Sequence, residues 1–106
     1  MATRQCRVDL TREAEKDIKR LRPHSDKVTR AIAKLEGDPF LGHTLSESFK
    51  GAHSLAFSLP GSGAYRAVYF LLDDSSVCLV VIVGPHENIY DRAQRRVDAL
   101  RRAGRI

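Results

Sequence analysis

The segment Val77-Cys-Leu-Val-Val-Ile-Val83 constrains the fold more than any other part of the chain. It is a continuous apolar run, mostly β-branched, set between Asp73-Asp74-Ser75-Ser76 and Gly84-Pro85. β-Branched side chains suit a pleated surface, and the flanking turn formers limit the run to one strand. With no polar alternation, both faces of that strand have to be covered. A sheet with a layer on each side follows. At 106 residues there is room for a single domain, spanning 1–106.

The remaining periodicities supply those layers. Residues 5–10 alternate Cys6, Val8 and Leu10 with Arg7 and Asp9, a strand with one wet face. Thr11 then reads as a helix N-cap, followed by Glu13 and Glu15 and by an apolar stripe of Ala14, Ile18 and Leu21. Pro23 ends that helix. A second helix starts near Ser25 with Val28, Ala31, Ile32 and Leu35 inward, and Gly37 and Pro39 close it. The short connection makes the two helices an antiparallel hairpin. Residues 38–52 read as a long loop. Strands are predicted over 53–59 and 64–72, separated by Pro60-Gly61-Ser62-Gly63. A last helix opens at Asn88, its expected cap, with Ile89, Ala93, Val97 and Leu100 inward. The predicted order is β-α-α-β-β-β-α. It is an α+β fold with a small, mostly antiparallel four-stranded sheet, the helical hairpin on one face, and a C-terminal helix that partly covers the other. A concave, partly open sheet face is then the expected site.

Charge narrows the function. The chain carries 18 Lys and Arg against 13 Asp and Glu, a net +5, and most of the bases are arginine. Guanidinium forks match phosphate oxygens, so an anionic partner is favoured over an inert basic surface. Residues 12–36 and 86–106 hold most of the excess, whereas residues 37–85 contain only Lys50 and Arg66 as cations. No run is long and apolar enough for a membrane span, and the N-terminal ten residues lack a signal-peptide core. A cytoplasmic protein that uses no membrane is expected. Cys6 and Cys78 are far apart in sequence and suggest no zinc pair, so buried free thiols are expected. His24, His43, His53 and His86 lack metal-ligand spacing, and no metal or cofactor is anticipated.

Three residues could carry chemistry. Arg66 opens an otherwise apolar strand. It is either ion-paired to Asp73, Asp74 or a loop acid, or a phosphate clamp mounted rigidly on the sheet. His86 stands at the end of the most buried strand, where a helix begins. Such a position attracts anions, and an imidazole there can move a proton, or else simply bond to backbone in a turn. Tyr90 lies in the first turn of the same helix, either packed in the core or offering a phenol beside a phosphate or a ring for a base to stack on. Glu87 could act as a base or hold Arg66. Lys50 could reach phosphate. Arg92, Arg95 and Arg96 form either a solvated face or a stripe along a nucleic-acid backbone.

In combination, the segment SGAYRAVYFLLDDSSVCLVVIVGPHENIYDRAQRR resembles the C-terminal half of the RelE/ParE superfamily of toxins from bacterial type II toxin–antitoxin systems. The matching features are Tyr65-Arg66, Val68-Tyr69, the acidic turn Asp73-Asp74, the strand ending Val83-Gly84 and the helix opening near Tyr90. Upstream, TREAEKDIKRL, LEGDP and LSESFKGAHSL fit the same family, so nearly the whole chain is covered. The resemblance implies an antitoxin that wraps and silences the toxin. In the RelE-type branch it implies metal-independent endoribonuclease cleavage of messenger RNA on the ribosome, which inhibits translation. In the ParE-type branch it implies inhibition of DNA gyrase by binding alone. Arg66 matches the family's phosphate-stabilising arginine and Tyr90 its tyrosine near the last helix. His86 falls where the family places an arginine or, in YoeB-like members, comes close to a histidine acting as general acid. These matches favour the RelE-type branch. The second strand, HSLAFSL, lacks the lysines that efficient RelE-type enzymes often carry there. The general base is therefore unassigned, with His53, Glu47 and Glu87 as candidates.

Overall fold

A computed structural model of the chain describes residues 6–45 and 51–106. The elements run β1 (Arg7–Leu10), α1 (Arg12–Arg20), α2 (Ser25–Ala33), a 3₁₀ turn at Lys34–Glu36, β2 (His43–Thr44), β3 (Ala52–Leu59), β4 (Gly63–Leu72), β5 (Val77–Pro85) and α3 (Ile89–Arg102). They form one five-stranded sheet in the order β1-β5-β4-β3-β2. The pairings β2–β3, β3–β4 and β4–β5 are antiparallel, and β1 runs parallel to β5. The α+β architecture matches the sequence reading, but the sheet is mixed and has five strands rather than four. The extra strand falls inside the segment read as a loop. Its two residues are too few to show a period. They are laid beside β3 by Tyr69, whose hydroxyl accepts from Gly42 N–H at 3.0 Å and donates to the Pro39 carbonyl at 2.8 Å. A Cβ on Gly42 would lie 2.8 Å from that hydroxyl, so only glycine permits the approach.

The unbroken run in β5 is buried on both faces. On one side Cys78, Val80 and Val83 pack with Ala14, Ile18, Val28, Ile32 and Leu35 of the hairpin. On the other, Leu79, Val81 and Ile82 pack with Ile89, Ala93 and Val97 of α3. A register shift between Val68 and Tyr69 moves β4 from partner Ile82 to partner Val80, which lets both Val81 and Ile82 join the α3 layer. Thr11 caps α1 as expected, its hydroxyl accepting from Ala14 N–H at 3.1 Å. Asn88 does not cap α3 with its side chain. It adopts φ 59°, the left-handed region that asparagine tolerates, and so turns the chain from strand into helix.

β1 pairs only with Val77–Val80, so β5 from Val81 onward has no strand on that side. Side chains complete the edge. The Asp17 carboxylate on α1 accepts from Val83 N–H at 3.0 Å, and the Arg96 guanidinium on α3 donates to the Val81 carbonyl at 3.1 Å. The two side chains also meet each other, with Arg96 Nη1 2.6 Å from Asp17 Oδ2 and Nη2 3.0 Å from Oδ1. One acid and one base thus join the helical layers around the sheet edge while satisfying its backbone. Asp17 is almost fully buried, at 2% side-chain exposure.

His53 packs on the hairpin side of β3. Its ring stacks on Tyr69 at 5.3 Å between centroids and meets the edge of Phe40 at 6.2 Å. Its Nδ1 is shielded and has no hydrogen-bond partner, and burial lowers its pKa below the usual histidine value.

Two outcomes follow. Asp17→Ala leaves Arg96 facing a void and Val83 N–H unpaired, and is expected to cost about 3 kcal/mol in urea unfolding. A loss under about 1 kcal/mol would contradict the edge-clamp role. For His53, the unfolded chain takes up a proton near pH 6.5 while the folded chain still resists it. Stability is therefore full above that pH and falls as the solution is acidified toward the lowered folded value. His53→Phe, which keeps the stack, should flatten this acid-side decline, as read from Tm against pH.

Candidate functional site

Along β4, Tyr65, Ala67 and Tyr69 face the hairpin layer and Val68 and Phe70 the α3 layer. Alternation puts Arg66 on the α3 side. Its strand partners are Ala56 on β3 and Gly84 on β5, two of the smallest side chains available. Further along this face β3 contributes only Ala52, Ser54, Ala56 and Ser58. Arg66 is thus a long side chain among small neighbours on β3 and β5, on the face that carries α3. It is half-buried. No ion pair to Arg66 is found among the described residues, and its Nε is shielded from solvent without a hydrogen-bond partner. The expected alternative, pairing with Asp73 or Asp74 at the far end of the strand, is not what the structure has.

Tyr90 reaches over the same face. Its hydroxyl donates to Ser54 Oγ at 3.2 Å. Ser54 pairs with Val68, two residues beyond Arg66, so the phenol stands over a diagonal neighbour of the arginine. Ser54 is a residue that sequence reasoning did not single out. The available signal was the uniformly small inner row of β3, which leaves room for a tyrosine from another element.

His86 continues the β4–β5 register past the strand end. Its backbone N–H donates to the Ala64 carbonyl at 3.0 Å, opposite the residue two before Arg66 on the same face. The His86 residue is exposed, as are Glu87 and Asn88 after it. The His86 backbone thus lies beside Ala64 and the Tyr90 hydroxyl beside Ser54, the partner of Val68, with Arg66 between these two positions along β4. His53 is not on the Arg66 face. It lies under the hairpin layer on the opposite face, which removes it as a proton acceptor beside Arg66. Glu47 and Lys50 lie outside the described residues.

The arginines of α3 divide. Arg95 is exposed. Arg96 is engaged by Asp17 and the Val81 carbonyl, which corrects its expected place in a nucleic-acid stripe: the bare edge of β5 holds it. Arg92 is intermediate, with one nitrogen 3.8 Å from Asp17 and another 3.3 Å from where a Gly84 Cβ would stand. It thus lies close to the Gly84 position that pairs with Arg66. A separate concavity of about 470 Å³, lined by Thr11, Arg95, Arg96, Leu100 and others, lies against the second half of α3, away from its first turn.

Among the described residues, no His, Cys, Asp and Glu cluster could hold a metal ion, and no helix is long and apolar enough to cross a membrane. Neither a protein-family model nor a curated protein matches the sequence. Solved structures do. An arginine-to-alanine mutant of the E. coli toxin RelE in the free state superposes with a TM-score of 0.67 at 22% identity, over 88% of this chain and 98% of that one. The RelBE2 toxin–antitoxin complex from Mycobacterium tuberculosis gives 0.67 at 22% identity, over 80% and 95%. The intact E. coli RelBE toxin–antitoxin complex gives 0.60 at 22% identity, over 77% and 98%. The helical hairpin, the meander and the closing helix that frame Arg66 are, together, the fold of the RelE toxins.

Proposed function

We propose that this protein is the toxin of a type II toxin–antitoxin pair and that it inhibits translation by cleaving messenger RNA on the ribosome in the cytoplasm. The observation that carries this reading is the Arg66 guanidinium, rigidly mounted and without a partner anion among the described residues. A cation left unpaired on a half-buried face has a cost that an incoming phosphate relieves. The RelE-like fold supports an RNA strand as the source of that phosphate.

Cleavage through the RNA's own 2′-hydroxyl needs that proton removed, the charge on the pentacoordinate phosphorus stabilised, and the departing 5′-oxygen protonated. Arg66 supplies the stabilisation, two N–H groups to two phosphoryl oxygens. His86, exposed at the rim, supplies the proton to the leaving oxygen. Tyr90, fixed by Ser54, positions the phosphate or the adjoining base. Arg92, Arg95 and Lys50 contribute attraction to the RNA backbone. Glu87 is the described carboxylate nearest in sequence to His86 and the remaining described candidate to accept the 2′-proton. No step calls for a metal. The antitoxin is proposed by analogy with the complexes above: an acidic, amphipathic peptide that neutralises the basic chain and orders as it binds.

Purified ribosomes programmed with a short messenger test this. Arg66→Ala is expected to lower the single-turnover cleavage rate by about 10²–10³-fold with unchanged circular dichroism, and Arg66→Lys to recover part of it. Tyr90→Phe should act mainly through KM. Wild-type cleavage unaffected by Arg66→Ala would contradict the assignment.

A further inference from the structure

Cys6 and Cys78 are separated by most of the chain, yet the parallel pairing of β1 with β5 joins them. Val8 pairs with Cys78, and Cys6 stands two residues before Val8 on the hairpin side of the sheet. Their sulfurs are 2.9 Å apart, both residues are buried, and both are free thiols. Cys6 also lines a surface cavity of about 310 Å³ with Pro39, Phe40, Asp74 and Ser75. No third ligand accompanies the pair among the described residues, so a metal does not explain it.

We infer that Cys6 and Cys78 form an oxidation site in which hydrogen peroxide, entering beside Phe40, converts the two thiols into a disulfide that fastens β1 to β5. Cys78 has no exposed surface, and burial together with the Cys6 sulfur raises its pKa well above the ordinary thiol value. It stays protonated, and Cys6 reacts first. The Cys6 thiolate attacks one peroxide oxygen, the O–O bond breaks, and hydroxide leaves with the thiol's proton as water, giving a sulfenic acid. The Cys78 sulfur then attacks the Cys6 sulfur, the S–O bond breaks, and a second water departs with the Cys78 proton. Two electrons pass from the thiols to the peroxide, and no other reactant is required. The slow step is the first, because peroxide has to reach a sulfur that is only 4% exposed.

The linkage joins the edge strand nearest the N-terminus to the neighbouring strand β5, which is buried on both faces, and closes a loop of most of the chain. Such closure restricts the unfolded chain strongly. It lies on the hairpin side of the sheet, whereas Arg66 lies on the α3 side, so it is a stability switch on the opposite face from the proposed cleavage chemistry.

The test uses the folded wild-type protein treated with hydrogen peroxide, then intact-mass and non-reducing peptide mapping. The expected product is a monomer lighter by two hydrogens, with Cys6 and Cys78 peptides linked. Its Tm should rise by roughly 10 °C and return on treatment with dithiothreitol. Cys6→Ser should show neither change. If that variant is unfolded by circular dichroism, the peptide map of the wild type still decides. Added oxygen on one cysteine without linkage, covalent dimers, or thiols left untouched at a dose that oxidises the urea-unfolded chain would each overturn the inference. Ribosome-dependent cleavage measured on the same samples separates this result from the nuclease proposal, since either can fail alone.

Discussion

The bare edge of β5 is the constraint on which this molecule depends. β1 is too short to cover it, so without side-chain partners Val83 N–H would face the helical layers unpaired and the Val81 carbonyl would keep only the long 3.5 Å contact from the Thr11 hydroxyl. Buried backbone groups left in that state are costly. Asp17 and Arg96 resolve the problem from opposite faces of the sheet, and in doing so tie α1 to α3. A buried pair of this kind contributes less through its own Coulomb attraction than through the groups it satisfies and the arrangement it fixes. Here the arrangement is the seating of α3. With α3 held at its middle, its first turn is placed beside β4 and β3, and Tyr90 meets Ser54 over the Arg66 face.

That dependence explains why charge alone misassigned one arginine. In sequence, Arg96 is one of several basic residues on a helix and reads as solvated or phosphate-facing. Asp17 sits one position before Ile18, at the margin of the apolar stripe, where a carboxylate raises no alarm. Only the shortness of β1 turns the two into partners, and the length of a four-residue edge strand is poorly encoded in its alternation. The same holds for Cys6 and Cys78, which appear isolated until β1 is placed parallel to β5. Strand pairing between distant segments is not a property of either segment.

Local features were legible because their causes are local. Thr11 caps α1, the β-branched run forms the strand buried on both faces, and Gly and Asp turns separate the strands. Asn88 was legible as a boundary but not in its manner, since a left-handed asparagine and a side-chain cap leave the same signature. His53 was misread for a register reason. On a strand with small residues on one face and large ones on the other, its ring follows Tyr69 toward the hairpin, and a candidate base becomes a buried ring on the face away from Arg66.

The proposed chemistry rests on a guanidinium that has no partner anion among the described residues, on a strand of the sheet that also pairs with the Tyr90-bonded Ser54 and lies beside the His86 backbone. The most direct measurement is the mapping of RNA 5′ ends across the transcriptome shortly after the protein is induced without a partner. The account predicts new ends inside translated coding regions, bearing 5′-hydroxyl groups, in cells expressing the wild type and not in cells expressing Arg66→Ala. Growth arrest by the wild type with no new ends in translated messages would contradict it.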